Sequence, residues 1–64
     1  MGNIDLEIKI LSDFQKVKNT LNSICLYYQE DFLLDDIVFV TVDDISKLDS
    51  ISMYIEISEE QYTH

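Results

Sequence analysis

Few residues in this chain of 64 could carry out catalysis. The sequence has one histidine, His64, one cysteine, Cys25, and one glycine, Gly2. Nucleophilic catalysis needs a nucleophile, a base and a group that stabilises the developing charge, and no histidine lies near Cys25 in the sequence. A glycine-rich phosphate loop needs several glycines. We therefore expect no catalytic residue and no cofactor, and we interpret Cys25 as a small apolar residue beside the core.

Carboxylates are the abundant reactive groups, because thirteen Asp and Glu residues stand against four lysines and give a net charge of −9. Paired carboxylates can hydrolyse glycosides only across a cleft, and so short a chain can hardly form one. A calcium loop needs oxygen ligands at alternating positions, a glycine at its turn and a final glutamate. The acidic segment 43–50 lacks that spacing. We expect neither an enzyme nor a dedicated metal site.

The distribution of charge points to a binding function. Residues 1–26 carry three acids and three lysines, whereas residues 27–64 carry ten acids and one lysine. Such a field repels nucleic acid and anionic membranes and attracts cationic protein surfaces. The longest apolar runs are also far shorter than the roughly 20 residues of a membrane-spanning helix. We expect a basic protein as the partner, with no direct contact to nucleic acid or membrane.

Most of these acids occur in doublets, and three interpretations of the doublets stay open. In the first, the doublets only keep a small domain soluble and prevent its strands from pairing with other chains. In the second, they imitate a row of phosphates and occupy the basic groove of a nucleic-acid-binding protein. In the third, they only steer the approach of a partner that binds an apolar surface of this protein. Tyrosines would supply rigid anchors at such a contact. The predicted partner-binding residues are Glu30, Asp31, Asp35, Asp36, Asp43, Asp44, Glu56, Tyr27 and Tyr54.

Periodicity predicts the elements that position these residues. Strict alternation predicts a strand over about 3–10, and apolar residues at spacings of three and four predict an amphipathic helix over about 13–28. Ser12 and Gln15 fit a capping box at the helix start. Branched and aromatic residues predict a strand over 37–42, and alternation predicts another over about 51–58. Between them we expect a helical turn capped by Asp43 or Asp44, and after them a frayed tail at 59–64.

The order of elements predicts one domain spanning 1–64 in the α/β (α+β) class, a small β-α-β-β fold. One amphipathic helix would pack on one face of a three-stranded sheet, with the first two strands parallel and the last two forming an antiparallel hairpin. The segment Phe32 to Leu34 would tuck inward. The bare sheet face would carry Ile37 and Phe39, or else Val38 and Val40, beside Tyr54 and Thr41, and an uncovered apolar patch usually marks an interface.

Residue usage suggests where the chain acts. Alanine, arginine, proline and tryptophan are absent, as expected for an AT-rich genome such as that of a low-GC bacterium or its phage. A lone cysteine and a polar N-terminus favour a reducing cytoplasm. In size, charge and residue usage, though without any shared motif, the chain resembles the small acidic inhibitors that phages encode against host nucleic-acid enzymes, among them anti-CRISPR proteins and inhibitors of uracil-DNA glycosylase.

The resemblance implies an inhibitor that acts as a nucleic-acid mimic against a CRISPR nuclease or a DNA repair enzyme. The alternative is an antitoxin, an immunity protein or a small regulatory subunit that binds its partner through the exposed apolar sheet face. A homodimer formed through that same face is a third alternative.

Overall fold

A computed structural model describes residues 2–63 and shows one antiparallel sheet of four strands with two helices. In chain order these are β1 (Asn3–Ile10), α1 (Phe14–Ile24), β2 (Tyr27–Glu30), β3 (Ile37–Val42), a 3-10 helix (Ile45–Tyr54) and β4 (Ile55–Thr63). The strands lie in the order β2-β3-β1-β4. His64, which we predicted to take no part in catalysis, lies outside the described residues.

The α+β class is confirmed, but the prediction of a three-stranded sheet is wrong. The missed strand is β2, whose first two residues, Tyr27 and Tyr28, fall in the predicted helix and whose last two, Gln29 and Glu30, follow it. The helix stops at Ile24, Cys25 is extended, and Tyr27 to Glu30 then pair with β3. Tyrosine favours strands, and pairing with a strongly hydrophobic neighbour strand prevails over helical spacing in this segment.

The predicted pairings change as a consequence. β1 and β3 are antiparallel, because the helix leads into β2 and not directly into β3. β3 and β4 do not pair, since β1 lies between them and pairs with both. The prediction of a parallel crossover from the strand at 3–10 to the strand at 37–42 is therefore wrong. The helix instead connects β1 to β2, and these two strands run in the same direction with β3 between them.

The last strand begins and ends later than predicted. Residues 51–54 belong to the 3-10 helix, where Ile51 is buried and Met53 is 76% exposed. Residues 59–63, predicted as a frayed tail, pair with Asn3 to Glu7. A register shift between Glu7 and Ile8 leaves Ser58 opposite no residue of β1. Such a bulge moves the side chains beyond it to the opposite face.

Both helices cover one face of the sheet, and the core lies between the two layers. Val17 and Leu21 of α1 and Leu48 and Ile51 of the 3-10 helix reach this core, as the amphipathic pattern of α1 predicts. The predicted capping box is not formed, because Asp13 occupies the N-cap position and its side chain caps no backbone N–H. The buried apolar residues are Leu6, Ile8, Ile10, Val17, Leu21, Val38, Val40, Val42, Leu48, Ile51 and Ile55.

The segment Phe32 to Leu34 does not tuck inward. Phe32 is 97% exposed, Leu33 83% and Leu34 55%. The six residues 31–36 connect β2 to β3 as the tip of a hairpin, and a loop at the end of two strands leaves its apolar side chains exposed.

Candidate partner-binding site

The sheet face opposite the helices is uncovered, and we call it the open face. Along β1 the core receives Leu6, Ile8 and Ile10, so the alternate residues Asp5, Glu7 and Lys9 point the other way. The antiparallel register then places the rest of the open face: Tyr27 and Gln29 on β2, Ile37, Phe39 and Thr41 on β3, and Glu56, Glu59 and Gln61 on β4.

Registered pairs arrange these side chains in rows across the strands. One row reads Tyr27, Thr41, Asp5 and Gln61. The next row reads Gln29, Phe39, Glu7 and Glu59, and the last reads Ile37, Lys9 and Glu56. Neighbouring strands are about 4.8 Å apart and alternate residues along a strand about 6.6 Å. The open face is therefore a grid with aromatic groups on the β2 and β3 side and carboxylates on the β1 and β4 side.

Two of the carboxylates lie directly opposite each other. Glu7 of β1 is registered with Glu59 of β4, and the bulge at Ser58 is what turns Glu59 to this face. Within residues 2–63 neither glutamate makes an ion pair, since those pairs are Lys18 with Glu30 at 3.6 Å and Lys47 with Asp43 at 2.7 Å. Like charges in directly opposed positions destabilise a sheet. We therefore expect an electrostatic cost to folding on this face.

Asp5 is held in place beside the glutamates. The Thr41 hydroxyl donates a hydrogen bond of 2.6 Å to Oδ1 of Asp5, across β1 and β3 and partly buried. This bond fixes one carboxylate oxygen and leaves the other available to a partner. Among the open-face acids of residues 2–63, Asp5 is the one with a side-chain hydrogen bond.

The aromatic side of the open face borders a shallow depression of about 350 Å³. Tyr27 is 51% exposed and Phe39 37%, and the Tyr27 hydroxyl donates a hydrogen bond to Gln29. The remaining lining of the depression comes from Asp5, Leu6, Glu7, Val40, Thr41, Glu59 and Gln61. A partner seated there would meet apolar rings and carboxylates together.

Among the predicted partner-binding residues, Tyr27 and Glu56 lie on the open face, while Tyr54 does not. Tyr54 packs against the core on the helix side, with the Lys16 ammonium 5.1 Å from the centre of its ring. Of the two pairs predicted for the bare sheet face, Ile37 and Phe39 lie on the open face. Val38 and Val40 are buried in the core.

The acidic doublets are divided between the two ends of β3. Glu30, Asp31, Asp35 and Asp36 surround the hairpin tip before this strand, and Asp43 and Asp44 follow it. Six strand residues separate the two groups, or about 20 Å. The structure therefore does not bring the predicted acids together into one surface.

Several of these acids hold local structure. The Asp31 carboxylate accepts hydrogen bonds of 2.8 and 3.0 Å from the backbone N–H groups of Leu33 and Leu34. The Glu30 carboxylate accepts a hydrogen bond of 3.0 Å from the Tyr28 hydroxyl and forms an ion pair with Lys18. Burial, assisted by Glu30, raises the pKa of Tyr28 to about 12.

Asp43 and Asp44 organise the start of the 3-10 helix. Asp44 is the N-cap residue that we predicted as one of two alternatives, and hydrogen bonds from the Ser46 backbone N–H and hydroxyl lower its pKa. A hydrogen bond from Lys47 lowers the pKa of Asp43. These two carboxylates have local partners, whereas Glu7 and Glu59 have none within residues 2–63.

Sequence reasoning missed Asp5, Glu7 and Glu59. Alternation along β1 already placed Asp5 and Glu7 on the polar side of a strand, but the balanced charge of residues 1–26 drew attention to the second half of the chain. Only the strand order and the bulge bring β1 beside β4 and unite the three acids.

The chemistry of the other reactive groups is limited. Burial raises the pKa of the half-buried Cys25 thiol to about 11, against the opposing effect of Lys47, so the thiol is protonated at neutral pH. Within residues 2–63 no three His, Cys, Asp or Glu side chains are grouped as metal ligands. The same residues contain no helix of the length and apolar character that a membrane crossing requires.

Comparisons of the chain with protein-family models, with curated proteins and with solved structures give no match.

Proposed function

We propose that this protein is a small acidic inhibitor that binds a nucleic-acid-binding protein, with the carboxylates of the open face standing where phosphates of the nucleic acid would lie. It acts without catalysis or a cofactor, in the cytoplasm of a low-GC bacterium, and is encoded by a phage. The observation that carries the proposal is the opposed pair Glu7 and Glu59, which makes no ion pair within 4 Å among residues 2–63.

A binding role accounts for a pair that folding alone disfavours. Replacing either glutamate with a neutral residue would relieve the repulsion without disturbing the core, which lies on the other side of the sheet. Solubility does not require this placement, because acids on loops serve solubility equally well. A cationic partner would turn the cost into a favourable interaction.

The geometry of the open face suits a groove that holds nucleic acid. Asp5 and Glu7 lie about 6.6 Å apart along β1, and Glu59 lies about 4.8 Å away on the next strand. Phosphates of a nucleic acid strand also recur at intervals of several ångströms, and the proteins that bind them present Lys and Arg at matching positions. The net charge of −9 would accelerate the encounter with such a groove.

The partner class follows from this chemistry. A basic groove of a CRISPR nuclease or a DNA repair enzyme offers cations for the acids. Surfaces that bind single strands also carry apolar faces on which bases stack. Tyr27 and Phe39 would occupy those stacking positions.

A second candidate function rests on Tyr27, Phe39 and Ile37. An antitoxin, immunity protein or small regulatory subunit would use these residues as the main contact, with the acids at its rim. Dissociation would then depend little on salt. A homodimer through the open face is disfavoured, because it would bring two acidic grids together.

The test is a pull-down from a lysate of a low-GC bacterium with four forms of the chain. These are the natural form, the open-face variant Glu7→Gln with Glu59→Gln, a control variant Asp13→Asn with Asp49→Asn, and the apolar variant Phe39→Ser. The open-face and control variants each lose two charges, so the control separates position from net charge. Bound proteins are eluted with salt or with competing duplex and single-stranded DNA and are identified by mass spectrometry.

Mimicry predicts recovery of a nuclease, glycosylase or polymerase that DNA and salt both displace. The open-face variant should lose it and the control should retain it. A partner indifferent to salt and DNA, and lost instead with Phe39→Ser, would contradict mimicry and support the second candidate.

A further inference from the structure

The tip of the β2-β3 hairpin exposes three consecutive large apolar side chains. Phe32 is 97% exposed, Leu33 83% and Leu34 55%. Single exposed apolar residues are common on protein surfaces and need no explanation, whereas a contiguous group marks a contact. We call residues 32–34 the apolar tip.

The backbone holds the apolar tip in one shape. Asp31 accepts the N–H groups of Leu33 and Leu34 through Oδ1. The backbone N–H of Asp31 donates to the Ile37 carbonyl at 3.0 Å, and the N–H of Ile10 donates to the Asp36 carbonyl at 2.7 Å, tying the loop to β1. The backbone of the tip is therefore ordered before a partner binds, which reduces the backbone entropy lost on binding.

The charges around the tip narrow the choice of what covers it. Glu30 and Asp31 precede it, Asp35 and Asp36 follow it, and no lysine occurs in residues 30–36. A second copy would bring four more acids to the same place. An anionic membrane would repel the acids, and any membrane would have to dehydrate them. A cationic protein surface with an apolar pocket accommodates both the acids and the exposed apolar side chains of the tip.

We infer that the apolar tip inserts into an apolar pocket of a partner protein whose rim carries Lys and Arg side chains. Phe32 and Leu33 fill the pocket, and the acids on either side pair with the rim. This arrangement matches the usual anatomy of an interface, in which an apolar centre supplies most of the affinity and a charged border sets register. The inference goes beyond nucleic-acid mimicry and does not depend on it, because it uses no residue of the open face.

The test places a photo-crosslinking residue at the tip of the full chain, as Phe32→p-benzoylphenylalanine, in cells of a low-GC bacterium. The matched control carries the same group as Met53→p-benzoylphenylalanine, since Met53 is 76% exposed and lies on the 3-10 helix. Crosslinked peptides are sequenced to locate the contact on the partner. The affinity of that partner, purified, is then measured for the natural chain, for Phe32→Ser with Leu33→Ser, and for Met53→Ser.

The expected result is a protein crosslinked from position 32 and not from position 53, at an apolar segment flanked by Lys or Arg. The double tip variant should bind it about 100-fold more weakly, while the Met53 control should change affinity by less than about threefold. Crosslinks to lipid or to a second copy, equal crosslinks from both positions, or none from position 32 would each overturn the inference.

The two proposals fail separately. Loss of affinity in the tip variant with no effect of Glu7→Gln and Glu59→Gln would retain tip docking and remove mimicry. The reverse result would retain mimicry and remove tip docking. Both tip residues are too exposed for their replacement to disturb the core, and an unchanged thermal midpoint would verify this for each variant.

Discussion

Neutralising Glu59 should make the protein more stable, although it removes a charged group from a natural sequence. Glu59→Gln leaves the strand, the bulge and the side-chain size unchanged and removes the repulsion with Glu7, its registered partner on β1. The two carboxylates sit in directly opposed positions of an antiparallel pair, where β-carbons are about 5 Å apart. Two glutamate side chains that extend side by side from such positions place their charges about 6 Å apart.

The magnitude follows from Coulomb's law. Two unit charges about 6 Å apart in water repel by about 0.7 kcal/mol, within the range measured for opposed cross-strand pairs. Unfolding entropy is about 2.1 cal/mol/K per residue, which gives about 0.13 kcal/mol/K for 64 residues. The thermal midpoint of Glu59→Gln should therefore rise by about 5 °C at low ionic strength. In 1 M salt, where the screening length falls to about 3 Å, most of the increase should disappear.

Glu56→Gln is the matched control, because Glu56 lies on the same strand and the same face but is registered with Lys9. Both variants remove one negative charge, so they share the change in net charge. Glu59→Gln removes a repulsion from Glu7, whereas Glu56→Gln removes an attraction to Lys9, so the two midpoints should move in opposite directions. Thermal unfolding followed by far-UV circular dichroism, at about 10 mM and 1 M salt, measures both. A midpoint for Glu59→Gln that is no higher than that of Glu56→Gln at low salt would refute the opposed placement of Glu7 and Glu59 and the cost assigned to it.

Three further predictions concern the core, the cap and the thiol. Leu21→Ala should destabilise the fold by about 2–5 kcal/mol in urea unfolding, because Leu21 is fully buried and its removal leaves a cavity; a loss below about 1 kcal/mol would contradict its central position. The pKa of Asp44 is lower in the folded protein than its ordinary value of 3.8, so the charged carboxylate stabilises the fold at pH values above 3.8, and this contribution is lost as the pH falls through the folded pKa. The natural protein should therefore lose stability relative to Asp44→Asn below about pH 4. Parallel plots of stability against pH for the two proteins would contradict this prediction. The pKa of Cys25 is raised to about 11, so iodoacetamide at pH 8.5 should alkylate the native protein much more slowly than the urea-unfolded chain, and equal rates would show that the thiol is not shielded.

The strands with an unambiguous pattern were predictable from sequence. The predicted bounds of β1 and β3 agree with those observed, because strict alternation and a run of branched residues have no helical counterpart. Tyr28 shows why the end of α1 was not predictable. It follows Leu21 and Ile24 at spacings of three and four, as the next residue of a helical face would, yet it also belongs to a two-tyrosine segment that pairs well with β3.

The start of β4 was ambiguous for a related reason. Ile51, Met53 and Ile55 fit one face of a strand, because they occupy every second position. Leu48, Ile51 and Ile55 also follow one another at helical spacings of three and four. The core resolves the choice, because Leu48 and Ile51 are both buried while Met53 is exposed. A single sequence holds both periods, and only packing against the sheet decides between them.

The open face lies further beyond sequence reasoning than the strands that form it. Its carboxylates come from β1 and β4, at opposite ends of the chain, and their meeting depends on the strand order. The polarity of β4 reverses at Ser58, a residue whose type gives no sign of a bulge. Local patterns therefore predicted that acids would be exposed, but could not predict which of them would share a surface.

The small size of the domain explains why one protein can present two candidate contacts. A standard interface occupies about 800 Å² on each partner, roughly a fifth of the 4322 Å² of accessible surface. With helices on one side only, the sheet leaves its other side bare, and the side chains of the hairpin tip are exposed. The core needs only one face of the sheet, so residues on the open face and at the tip are free of packing constraints. Acids opposed across strands and apolar residues without cover persist at these two places, where a partner can offset their cost.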